Sequence, residues 1–119
     1  MRTLATQVKL RRLIRAFAEA HSRLVSDPRE QRMAGSVADR LLGLVADVRT
    51  AWRREAGLTE PVLARHVDEA LRQAELASAG LGQAGADLDL LREDFDSSAL
   101  PLEVFLRGLD AEPALQRSA

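Results

Sequence analysis

The chain has 119 residues, of which 46% are apolar and 29% charged, for a formal net charge of -1. Length and balance fit one globular domain rather than a disordered chain. Cysteine and tyrosine are absent and aromatic residues reach only 3%, which excludes disulfides, thiolate metal sites and thiol nucleophiles and leaves too little aromatic and β-branched chemistry for a β-sandwich or barrel.

In the first segment, from about Thr3 to Val25, Leu10, Leu13, Ile14, Phe17, Ala20, His21 and Leu24 recur at spacings of three and four. On a helix they form one stripe, with Leu4 and Val8 off it. Asp27-Pro28-Arg29-Glu30 is a helix-start signal: an acid at the N-cap, Pro at the first helical position and Glu at the third. It predicts a second helix to about Ala56, stopped by Gly57. That helix carries Met33, Ala34, Val37, Ala38, Leu41, Leu44, Val45, Val48 and Trp52 on one stripe, and the alternating spacing of Val37, Leu41, Leu44 and Val48 suits a coiled-coil-like partner helix.

The third segment opens with Thr59 as the expected N-cap and Leu58 and Leu63 as a hydrophobic staple. Its stripe of Leu63, Val67, Ala70, Leu71, Ala74 and Ala77 is mostly small, and it ends near Gly80. Gly80 to Gly85 then reads as a flexible hinge. Asp87 to Phe95 predicts a short acidic helix broken at Ser97-Ser98-Ala99-Leu100-Pro101, with Pro101 starting another through Leu106. Glu112-Pro113 opens a tail expected to fray. With no strand pattern anywhere, the prediction is an all-α bundle of three main helices plus one or two short C-terminal ones, one domain over residues 1–110 and a tail over 111–119.

The start of the chain has charges where a signal peptide needs an apolar run. The longest uncharged stretch, Leu76 to Ala86, is too short and too weakly apolar to span a bilayer. A cytoplasmic protein without membrane contact is therefore expected.

Charge is unevenly spread. Residues 1–57 carry 12 basic and 6 acidic groups, whereas residues 58–119 carry 5 basic and 12 acidic ones. Lys9, Arg12, Arg15 and Arg23 share one side of the first helix, and Arg49, Arg53 and Arg54 crowd the end of the second. Arginine presents a planar fork that matches phosphate, so Lys9, Arg12, Arg15, Arg23, Arg53 and Arg54 are candidate phosphate contacts. The blander reading is that the acidic half covers this patch or that water does. Trp52 is the one aromatic near these groups, which serves base stacking poorly.

Other patterns fall to their physical requirements. Gly80-x-Gly82-x-x-Gly85 has dinucleotide-loop spacing but no strand before it. Asp87, Asp89, Glu93, Asp94 and Asp96 fail as a calcium loop, because Leu91 and Arg92 stand where a ligand and a glycine are needed. His21 sits in an apolar stripe and reads as a core histidine with one hydrogen bond, and His66 as a surface one. There is no nucleophile motif, phosphate loop or metal-ligand spacing, so neither cofactor nor metal is expected, nor a small-molecule substrate.

Two function classes are consistent with these patterns. The leading expectation is a non-enzymatic assembly or adaptor subunit that packs helix faces against another protein or a second copy of itself. Val37, Leu41, Leu44, Val48 and Trp52 would form the packing stripe, and Leu102, Phe105, Leu106 and Leu109 a docking segment. The alternative is a nucleic-acid backbone binder within a larger ribonucleoprotein or DNA-binding complex. In size, helicity and arginine bias the chain resembles the small helical subunits of multi-subunit CRISPR effector complexes, which line a nucleic-acid channel, and that resemblance implies the same use of the basic half. Small acidic helical secretion chaperones and antitoxins are a third likeness, although no helix-turn-helix is evident.

Overall fold

The computed structural model describes residues 5–27, 29–57 and 59–118, with side chains described through Arg107. Four helices succeed one another: α1 (Ala5–Ser26), α2 (Ala34–Ala56), α3 (Pro61–Gly80) and α4 (Leu88–Ser118), with a 3-10 turn (Glu30–Met33) before α2. No strand occurs among the described residues, and none of their helices is long and apolar enough to cross a membrane. The all-α bundle expected from the periodicity is the fold that the chain forms.

Each helix packs on two neighbours, α1 on α2 and α4, and α3 on α2 and α4. Contacts between opposite ends fix the directions. Thr6 meets Glu55. Trp52 meets Asp68 while Arg49, one turn back on α2, meets Glu75, two turns on along α3. Gly80 at the end of α3 lies against Leu91 near the start of α4, and Arg11 meets Glu103 while His21 meets Asp89. Neighbouring helices are thus antiparallel, the arrangement that short connections favour.

The shared core takes most of the predicted stripes: Leu10, Leu13, Phe17 and Leu24 from α1, Leu41, Val45, Val48 and Trp52 from α2, Val67, Leu71, Ala74 and Ala77 from α3, whereas Met33 and Leu63, at the outer ends of their stripes, stay exposed. Phe95, Ala99, Leu102 and Leu106 complete it from α4. Phe17 and Phe95 stack with ring centroids 3.9 Å apart and an interplanar angle of 5°.

Three local expectations change. Asp27 is not the N-cap of α2, which is Met33; its Oδ1 instead accepts from Arg29 N–H at 2.9 Å in a local turn. The turn that it opens is the tighter 3-10 kind, with Glu30 N–H donating to Asp27 O at 3.0 Å and Arg32 N–H to Arg29 O at 3.2 Å. Met33, at φ -98° and ψ 7°, interrupts helical geometry before α2 begins. Chain reversal from α1 into α2 takes up these residues.

The N-cap of α3 is Glu60, not Thr59. Its carboxylate accepts from Val62 N–H at 3.0 Å and Leu63 N–H at 3.1 Å. Pro61 at the first helical position sets this frame, since it has no N–H to leave unsatisfied. Thr59 instead donates its hydroxyl back to Glu55 O at 3.4 Å. Leu58, half of the expected staple, lies outside the described residues.

Helix α4 runs unbroken through Ser97 to Pro101, where two short helices were expected. Pro101 removes one backbone donor and costs about 3 kcal/mol in a helix interior. Phe95, Leu102 and Leu106 flank it, each at most 4% exposed. Burying a large apolar side chain is worth roughly 1.5–3 kcal/mol, so the three together outweigh the proline. Pro101 itself faces water.

The glycine-rich connector packs closely. Leu81 is buried, Gly85 has φ +73°, and a Cβ on Gly82 would lie 2.9 Å from the Ala38 Cβ on α2. Gly43, by contrast, has open space where a Cβ would go.

Three substitutions test this packing by urea unfolding. Gly43→Ala should stabilise by about 0.5–1 kcal/mol, whereas Gly82→Ala should destabilise, because Ala38 cannot yield without moving α2. Phe17→Ala should cost about 3–5 kcal/mol.

Candidate functional site

The stripe expected to meet a partner helix is turned inward. Leu41, Val48 and Trp52 are each at most 1% exposed, and Val37 and Leu44 are half-buried against the same core. The helices they meet are the chain's own, so a homodimer through this stripe would require the bundle to open. The docking segment has largely the same fate: Leu102 and Leu106 are core residues and Phe105 packs against them. Leu109 lies outside the residues whose side chains are described. Among the described residues, the large apolar side chains that α4 does show to water are Leu90, 51% exposed, Leu100, 50% exposed, and Val104, 67% exposed.

The basic candidates stay on the surface. Arg12, Arg15, Arg23, Arg53 and Arg54 are exposed and Lys9 is half-buried. Among the described residues none of the six is in an ion pair. The acidic half reaches other partners. Glu103 on α4 takes Arg11 at 2.9 Å and Arg107 at 2.7 Å, Glu75 on α3 takes Arg49 at 2.8 Å, and Asp96 takes Arg92 at 3.0 Å. Lys9 and Arg23 are 14 positions apart, so the basic line on α1 extends roughly 21 Å. Arg23 also borders a small depression with Glu19, Glu30 and Arg40, floored by Ala20 and Leu41.

A second feature joins α2 and α3. Arg49, Trp52, Arg53 and Ala56 face Asp68, Arg72 and Glu75 across an open cleft of about 580 Å3. Trp52 Nε1–H donates to Asp68 Oδ1 at 2.9 Å, and Arg49 holds Glu75. Both carboxylates therefore have partners, while Arg53 and Arg72 are in no ion pair among the described residues. Asp68, Arg72 and Glu75 are not legible as a site in the sequence. Their spacing on α3 is that of an ordinary solvated face, and only the register of α3 on α2 sets them opposite Arg49 and Arg53.

The remaining polar candidates have local duties. His21 has its one partner, with Nε2 3.1 Å from Asp89 Oδ1, and His66 is exposed. Asp87 accepts from Leu90 N–H at 3.1 Å and so caps α4. Among the described residues no group of His, Asp or Glu is placed to hold a metal ion. At the far end of the bundle the buried Thr6 hydroxyl donates to Glu55 Oε2 at 2.6 Å. Chemically, the surface offers arginine forks for an anion at two places, the outer side of α1 and the α2–α3 cleft.

Comparison with protein-family models, curated proteins and solved structures finds no match to this chain.

The Arg49–Glu75 pair is part-exposed on both sides. Glu75→Gln should therefore lower stability by no more than about 1 kcal/mol in dilute buffer, and by less in 1 M NaCl, as read by paired thermal melts.

Proposed function

We propose that this chain is a non-enzymatic binding subunit whose contact surface is the basic outer side of α1, and whose partner is a polyanion, a nucleic-acid backbone in the first place. One observation carries this reading: Lys9, Arg12, Arg15 and Arg23 lie along α1 outside every ion pair among the described residues, although the acidic α4 packs on the same helix. Net charge near zero would favour neutralisation within the bundle, yet Glu103 and Asp89 engage Arg11 and His21 instead. Backbone contacts of this kind give affinity without sequence choice.

A mobility-shift titration with single- and double-stranded DNA and RNA tests it. Four phosphate contacts predict a slope of log K against log salt of about -3 to -4. Arg12→Glu with Arg15→Glu should abolish the shift while leaving the helical circular-dichroism spectrum intact. Absence of binding by folded protein at low salt would overturn the reading.

A second reading, an adaptor that binds another protein, is favoured by the exposure of Leu100 and Val104 on α4. Association there would be insensitive to salt, and Leu100→Asp with Val104→Asp would remove it.

A further inference from the structure

We infer that the α2–α3 cleft is a binding site for a phosphate group, distinct from the basic line on α1 and carried by Arg53 and Arg72. The cleft gathers three guanidinium groups against two carboxylates, so its formal charge is positive. Both carboxylates are already engaged, Asp68 by the Trp52 indole at 2.9 Å and Glu75 by Arg49 at 2.8 Å. That leaves Arg53, from the last turn of α2, and Arg72, from the middle of α3, as donors without an acidic partner among the described residues.

Two forks approaching from separate helices suit a tetrahedral oxyanion, whose oxygens point in several directions. A carboxylate has two oxygens in one plane, and a single guanidinium satisfies it. The rest of the ligand finds no stacking face, because the Trp52 ring is 1% exposed and its N–H is taken by Asp68. The site therefore recognises the phosphate and not what is attached to it. Asp68 opposes the ligand's charge while holding Trp52 in place, so it limits affinity.

The chain contains a single tryptophan and no tyrosine, which makes intrinsic fluorescence a reporter from the cleft itself. The test is a titration of the intact protein with sodium phosphate at constant ionic strength. It is read by Trp52 emission and independently by calorimetry, with sodium acetate and a nucleoside 5′-monophosphate as parallel probes. Phosphate should saturate with a dissociation constant on the order of 1 mM, the monophosphate should bind similarly, and acetate should not saturate.

Arg53→Gln and Arg72→Gln should each weaken phosphate binding about tenfold. Asp68→Asn, whose amide oxygen still accepts from the indole, should tighten it about threefold. Arg12→Glu with Arg15→Glu should leave the phosphate titration unchanged, which separates failure here from failure of the nucleic-acid reading. Three outcomes would overturn the inference: no calorimetric saturation by phosphate, equal binding of acetate, or undiminished binding in folded Arg53→Gln and Arg72→Gln. Binding of the monophosphate without binding of phosphate would overturn it as well, since recognition would then rest on the nucleoside.

Discussion

Phe17 and Phe95 stack where α1 and α4 cross the centre of the core, and bringing those two helices together organises much of the molecule. The contact joins the most basic helix to the acidic one, and it draws Leu102 and Leu106 inward behind Phe95. It also keeps α4 helical across a proline. Once α4 is in place, every helix has two neighbours and every strong apolar stripe is covered. The surface is then mostly charged, with separate apolar residues such as Leu90, Leu100 and Val104 among the charges, and function has to be sought there.

The charges are only partly reconciled with one another. α4 brings carboxylates beside α1, but the geometry of antiparallel helices delivers them to the edge that faces α4, where Arg11 and His21 stand. The outer line from Lys9 to Arg23 is turned away from that edge. A similar logic operates between α2 and α3: Glu75 and Asp68 reach Arg49 and Trp52 across the groove, while Arg53 and Arg72 stand at its rim. Exposed pairs of this sort add little to stability, so their influence lies chiefly in which arginines they leave accessible to an anion.

Much of this fold is legible in the residues themselves. The three- and four-residue spacings of Leu10 to Leu24 and of Leu41 to Trp52 name the buried faces, because burial of one stripe per helix is what makes a bundle stable. His21 has the one hydrogen bond expected of it, but it is half-buried at the edge toward α4 rather than in the core, and its partner, Asp89, is distant in sequence. Local punctuation misleads at three points. Thr59 looks like a cap, but Pro61 moves the cap to Glu60. Asp27 announces a helix and delivers a 3-10 turn. Pro101 announces a break that the burial of Leu102 and Leu106 overrides. The candidate cleft is illegible for a different reason. It exists only where Arg53 and Arg72, nineteen positions apart in sequence, are brought to one groove by the register of two helices, and no local pattern encodes that register. The same limit lets Val37, Leu41, Leu44 and Val48 suggest a partner's helix when their neighbours are the chain's own.

The central claim is that this stripe closes within one chain, leaving charge as the main outward-facing chemistry. Acrylamide quenching of Trp52 across a dilution series tests it most directly, because Trp52 is 1% exposed within the single chain. A stripe closed within one chain predicts a small quenching constant that does not change with protein concentration. A quenching constant that rises on dilution would contradict the claim, since Trp52 and the stripe beside it would then owe their burial to a second molecule.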